Sequence, residues 1–349
     1  MRTACVTAII ALAITPPLGG QTAASPAPAS LVQFLRHSIG MDSAVLLRAL
    51  RGEPFVTVLD AELHRDVAIF GMITAAVPRA VYEAQLRGFR TSLRAPNRTR
   101  FGIFANPATA ADVAAVVIAQ RDADDMKSCK PGDCVVKLPA TDMERIRREM
   151  NWSAPDLAAQ LSAYARRRLV EYVTDYRARG DSAMAVYDDR SRASVRGREA
   201  FAALLAASPY VYQHVPSLER YLASYPRAPL ANAAEVIFWS EDVMPRLRPI
   251  LSVTHQVVYT PPELPEVTLI AAKQIYANHY FEAVVDLSLV VDRQQPDGQP
   301  GIFLLVLRRY RFDNLPTGLL NIRGRAINAL RDQLLADLRR QRSMFEPAR

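Results

Sequence analysis

The chain has 349 residues, of which 50% are hydrophobic and 22% charged, with 43 Lys and Arg against 35 Asp and Glu. That is ordinary globular composition, long enough for one large or two modest domains with a full core. The net charge of +8 favours anionic partners such as a membrane surface. Acidic residues are interleaved throughout, no long Lys/Arg run occurs, and RNP-like, zinc-finger and helix-turn-helix patterns are absent, so nucleic acid is not an expected partner.

Met1-Arg2 gives a short positive start, and Ala4 to Ile14 is an apolar run, followed by Pro16-Pro17 and small residues. The pattern predicts a signal peptide over 1–24 and export, periplasmic or secreted. The run is too short to span a bilayer, and Cys5 lies too early for a lipoprotein cleavage site. A flexible tail is expected to about residue 30. The mature chain, 25–349, contains no stretch that reads as an inter-domain tether, so a single domain is expected.

In chain order, helical spacing begins at Ser30, and Asp42 caps a second helix through Leu50. FVTVLD and DVAIFGMITA, between Phe55 and Ala75, read as strands. Pro78 opens a helix to about Gly88, Arg100 to Ala105 is a strand, and Asp112 to Gln120 reads as another. SCKPGDC places Cys129 and Cys134 around Pro131-Gly132, a turn of type II preference that brings them to disulfide distance. Four intervening residues do not make a redox CxxC, and no further ligands accompany the pair to suggest a metal. The following DCVVKL closes the hairpin.

A mainly helical section spans about 140–230. Thr141 to Glu144 matches a capping box, a long helix runs from about Ala154 to Arg179, and Arg198 to Ala207 is helical. Glu235 to Glu241 is a strand that leads into the most regular part of the chain, about 235–345. Here four strand-like runs precede a long amphipathic helix whose stripe is Ile322, Ala326, Ile327, Leu330, Leu334 and Leu338. Period-two alternation puts His255 with Val257 and Tyr259, Lys273 with Leu269 and Ile275, and His279 with Phe281, Ala283 and Val285. It puts Gln274 with Ile270 and Tyr276. Arg308 lies with Leu304 and Val306, and Arg309 with Arg311 on the other side.

The fold class expected is therefore α+β: an antiparallel β-meander packed on a long C-terminal helix, with additional helices inserted in the middle. This order resembles the helix-grip, START-like architecture over the last third of the chain. The likeness implies an apolar cavity with a few polar groups between sheet and helix. The segments CKPGDCVVKLP, MNWSAPD, SPYVYQHVPSLERYLASYP, SVTHQVVYT and AAKQIYANHYFEA also resemble a family of exported bacterial proteins with no established activity. That resemblance implies export and one folded unit, and carries over no catalytic residue.

The candidate polar constellation is His255, Lys273, His279 and Tyr280, with Arg309 and further Glu241 and Arg311. It can be read as a patch that holds an anionic head group, as acid/base residues, or as a buried hydrogen-bond network. Gly180-Asp181-Ser182 lacks the glycines of a nucleophile elbow. His37, His64 and His214 lie in separate contexts without ligand spacing, so no metal is expected. No phosphate or dinucleotide loop occurs, so no cofactor is expected either. Tyr210, Tyr212, Tyr221, Tyr225 and Trp239 read as core and rim. The function expected is binding of a hydrophobic or lipid-like ligand in a sheet/helix cavity. The alternatives are a hydrolase using His255 or His279, and a cell-envelope interaction protein without a small ligand. The disulfide hairpin, remote in sequence from the meander, is expected to matter for stability and not for binding.

Overall fold

Strand β2 (Asp66–Ala75) is buried at every position, as a run without polar alternation requires when both faces are covered. In a computed structural model of the chain it forms the inner partner of the N-terminal hairpin with β1 (Phe55–Leu59). The structure describes residues 29–190, 194–208, 215–244, 247–295, 297–313 and 322–345. The signal-peptide assignment and Tyr210, Tyr212 and His214 lie outside these residues.

The other large strands are β3 (Arg98–Ile103), β6 (Ala234–Asp242), β7 (Ile250–Tyr259), β8 (Val267–Ala277), β9 (Phe281–Gln294) and β10 (Pro300–Phe312). They form one eight-stranded sheet of order β1-β2-β10-β9-β8-β7-β6-β3, antiparallel at each junction. The C-terminal meander is thus continuous, and the first half of the chain extends both of its edges. A short hairpin, β4 (Val186–Tyr187) with β5 (Val195–Arg196), stands apart.

Helices cover both faces. On one lie α1 (Ala29–His37), α2 (Ser43–Leu50), α7 (Leu157–Arg179), α8 (Gly197–Ala206) and α9 (Pro216–Ser224). Leu35, Leu46, Val173, Phe201 and Leu218 pack there with Val257, Ala271, Val285 and Leu305. On the other lie α3 (Arg79–Arg87) and the terminal helix α10 (Ile322–Ser343), which buries Leu330, Leu334 and Leu338 against Ile69, Ile73, Leu304 and Val306. The stripe on α10 thus seats on the Arg308 face, over β1 and β2. Gly71 is what lets it approach, since a Cβ there would stand 2.7 Å from Leu338 Cδ1. The short α4 (Phe89–Ser92), α5 (Gln120–Met126) and α6 (Ala140–Glu149) complete the helices among the described residues.

Several local expectations are corrected. Asp112 to Gln120 is not a strand; a 3-10 turn over Ala110–Val113 forms because the Asp112 carboxylate accepts from the Thr109 and Ala105 amides, at 2.7 and 3.0 Å. The Thr141 capping box does not form: α6 starts two residues earlier, with Pro139 as its N-cap, and Asp142 instead accepts from Tyr164 and Arg168. Two bulges displace the alternation. Val253 pairs Tyr276 and Thr254 pairs Gln274, so Ile275 is extra, and Tyr276 turns to the α7 side, away from Gln274. Ala283 pairs Arg311 and Phe281 pairs Phe312, so Glu282 is extra, and Phe281 joins the α10 face instead of that of Ala283.

Candidate functional site

His255 and Lys273 are Cα partners across β7 and β8, and continuing the row through Val285 reaches Arg309 on β10. All three point to the α7 side. At about 4.8 Å per strand, the Arg309 backbone lies roughly 10 Å from that of Lys273, with Val285 between.

The imidazole of His255 sits in a cage of tyrosines supplied by α7 and α9. Tyr176 Oη stands 3.0 Å from Nδ1 and Tyr221 Oη 2.9 Å from Nε2, and the Tyr225 ring meets the imidazole edge-on at 4.5 Å. The Tyr221 hydroxyl donates to Glu235 at 2.7 Å. Its oxygen is then free to accept from Nε2–H, which leaves Nδ1 to accept from Tyr176. The result is a chain Tyr176–His255–Tyr221–Glu235 with every proton assigned. Burial pushes the imidazole below its ordinary value. His255 and Tyr221 together hold the Glu235 carboxyl down at about 2. Burial raises all three tyrosines, Tyr225 to about 12.

Lys273 is only 1% exposed. Its ammonium donates to the Asp181 carboxylate and to Leu222 O at 3.1 Å, and lies 3.9 Å over the Phe201 ring. Burial lowers its pKa to about 8, against the opposing pull of Asp181. Asp181 belongs to the Gly180-Asp181-Ser182 turn at the end of α7, so that turn holds a counter-ion and not a nucleophile. Ser182 donates back to Arg179 O.

His279 and Tyr280 are not part of this cluster. The bend between β8 and β9 places His279 Nε2 3.1 Å from Asp122 of α5 and Nδ1 3.2 Å from Val135 O. Arg248 donates to Asp122 at 2.7 Å and also to Asp125, while Tyr280 Oη accepts from the Arg248 amide at 2.9 Å. Burial would raise the Asp122 carboxyl, but His279 and Arg248 outweigh it and hold it below its ordinary value. Glu241 pairs Arg100 at 2.5 Å at the β3 edge, and Arg311 grips Asp66 in a two-pronged pair at 2.7 and 2.8 Å.

Cys129 and Cys134 stand at disulfide distance, Cα to Cα 4.5 Å. Gly132 has φ +84°, and Lys130 and Asp133 exchange both backbone hydrogen bonds across it. The hairpin is remote in sequence but not in space. Its exit segment does not form a strand and is instead tied to the β8–β9 bend by Val135 O and by Lys137 N to Asn278 O at 2.9 Å. Lys137 itself is buried between Asp189 and Asp313, 3.6 Å from each, under the Tyr187 ring.

Between this tied segment, α6, α7 and the sheet lies a cleft of about 420 Å³. Its wall includes Ile118, Val136, Leu138, Ile146, Leu161 and Leu169, and the sheet contributes Leu251 and Tyr276. At one side Asp142 accepts from Tyr164 and Arg168, each at 2.9 Å. Tyr172 and Tyr276 turn their hydroxyls away to the carbonyls of Ile275 and Lys137. The candidate residues His255, Lys273, His279, Tyr280 and Arg309 and both cysteines lie off this cleft, which Leu138, Pro139, Thr141 and Tyr276 do line. Its wall is assembled from helix faces that read individually as core.

Among the described residues no group of His, Cys, Asp and Glu is arranged to hold a metal ion, and no helix is long and apolar enough to cross a membrane. Comparison with protein-family models gives no match, and comparison with curated proteins gives none.

Proposed function

We propose that this is an exported protein, periplasmic or secreted, that holds a hydrophobic or amphipathic, lipid-like molecule in the cleft between the sheet and α7. The observation that supports this reading is the cleft itself: about 420 Å³ lined mainly by aliphatic side chains, with its polar atoms engaged at the margins. That volume falls within the roughly 300–1,000 Å³ of small-molecule sites. The helix-grip analogy is kept, with α7 in place of the terminal helix as the cover. The net positive charge would favour delivery to or from anionic membranes.

A hydrolase built on His255 or His279 fits less well. Both rings are buried, at 4% and 2% exposure, and both nitrogens of each are engaged by protein groups. The test is native mass spectrometry with solvent extraction of the purified protein, followed by titration with the fluorescent fatty acid parinaric acid. Ala165→Phe, which projects a ring into the cleft, is expected to abolish uptake while leaving the fold intact. An empty wild-type protein that takes up no probe would overturn the proposal in favour of the envelope-interaction reading.

A further inference from the structure

The sheet face that carries α10 is apolar over β2 and most of β10 and changes character from β9 across to β6. There it presents Ser240, Ser252, Thr254, Gln256, Ala272 and Gln274. Because α10 seats at the β1–β2 end, these side chains floor an open groove of about 270 Å³, whose far wall includes Gln333 and Asp337 of α10. Thr254 stands opposite Gln274 on one row across the strands, with Phe238 and Val284 continuing it on either side. Gln256, Ala272, Asp286 and Arg308 form the next row.

The formal charges lining this groove balance, with Arg98, Arg308 and Arg340 against Asp242, Asp286 and Asp337, although the buried Arg340 Nε has no hydrogen-bond partner among the described residues. Arg98 pairs Asp242 at 3.0 Å, and Arg308 bridges Asp286 at 2.7 Å and Asp337 at 2.9 Å. The neutral groups do not. Thr254, Gln256, Gln274 and Gln333 are half-buried, line the groove, and have no side-chain hydrogen-bond partner among the described residues. Their unpaired atoms are not sealed from solvent, so they stay open to a ligand in the groove. Three carboxamides and a hydroxyl therefore direct unused donors and acceptors into one space.

We propose that this groove binds a neutral saccharide. A carboxamide sets a donor and an acceptor side by side, which matches adjacent sugar hydroxyls, each both donor and acceptor. The balanced formal charges leave no net field to select an ion. Val284, half-buried on the groove floor, supplies the apolar contact that the C–H face of a sugar ring requires. The volume is that of a small sugar unit. The groove lies on the opposite face of the sheet from the apolar cleft, so this inference stands independently of the lipid reading.

Saturation-transfer NMR with maltose, cellobiose and N,N′-diacetylchitobiose tests it on the full chain. At least one is expected to bind. The double variant Gln256→Ala, Gln274→Ala should weaken that binding about tenfold or more, and Thr254→Val, which removes only the hydroxyl, should weaken it by less. Melting curves of these variants should match wild type, since the substituted groups hold no partner in the fold. Ala165→Phe should leave sugar binding unchanged. Failure of all three sugars to bind, or binding that the double variant retains in full, overturns the proposal.

Discussion

Replacing Lys273 by Met is expected to stabilise the protein, although it removes an ion pair. The ammonium is almost fully buried, and its pKa falls from 10.5 to about 8. At about 1.4 kcal/mol per pH unit, that difference corresponds to a cost of about 3 kcal/mol for folding with the charged lysine at neutral pH. Met fills the space of the lysine stem and has no charge to desolvate, although the ammonium's contact with the Phe201 ring and its bond to Leu222 O are lost. Asp181 loses its partner, but its side chain is 21% exposed and can recover hydration, which takes back about 1–2 kcal/mol of the gain. A net gain of about 1–2 kcal/mol corresponds to a melting temperature several degrees higher, at about 2–4 °C per kcal/mol.

The pH dependence gives the sharper reading. Below pH 8 the lysine is protonated in folded and unfolded chains alike, and the burial cost is felt in full. Between about 8 and 10.5 the folded chain gives up the proton while the unfolded chain keeps it, so wild-type stability should rise with pH. Urea unfolding from pH 7 to 9.5 on both proteins measures this, and the difference between them cancels the buried tyrosines. A Met variant that is less stable than wild type by more than about 2 kcal/mol, with the same pH slope, would falsify the reasoning.

Other outcomes are expected from the same physics. Because burial lowers His255 below its ordinary 6.5, stability should fall as pH drops under 6.5, where the unfolded chain takes up a proton that the caged ring refuses. His255→Gln should flatten that acid limb in urea titrations, whereas the Glu235 contribution is lost only below pH 4.5, toward about 2. Cys129→Ser should lower stability by about 2 kcal/mol through the short loop it opens. Contrary to what its distance in sequence implies, it should also weaken parinaric acid uptake, since the hairpin's exit segment walls the cleft; equal affinity would refute that coupling. Gly102→Ala should cost about 1–3 kcal/mol by calorimetry. A Cβ there meets Trp239 Nε1 and, at 2.5 Å, Asp112 O, and so strikes the hydrogen bond that joins them at 2.8 Å.

Much of the fold is legible because it rests on local periodicity. The runs that became β2, β6, β7, β8, β9 and β10 are long and rich in Val, Ile and Leu, and the facing of His255, Lys273 and Arg308 follows from period two alone. Where the alternation failed, at Tyr276 and Phe281, one extra residue in a bulge had shifted it, and nothing at either position in the sequence announces a bulge. The strand expected over Asp112 to Gln120 failed for a different reason. One carboxylate satisfying two backbone amides outweighed β propensity.

The polar constellation was drawn from residue type and the structure divides it, while the cleft, walled by residues far apart in the chain, was not legible at all. His255 and Lys273 were drawn together because adjacent antiparallel strands put them opposite one another. Asp181, Tyr176, Tyr221 and Asp122, to which the two histidines and the lysine are bonded, come from helices and turns far along the chain. No spacing rule reaches them.

By itself, then, the sequence determined the α+β class, the meander and its terminal helix, the cysteine turn, and which residues share a face within each strand away from the two bulges. These depend on side-chain period and turn chemistry within a few residues. The tertiary structure alone decided that the terminal helix seats over β1 and β2, that α7 covers the opposite face, and that the hairpin closes against His279. Those follow from how whole apolar faces match one another across the sheet, and that matching depends on shape and volume, which one-dimensional periodicity does not carry.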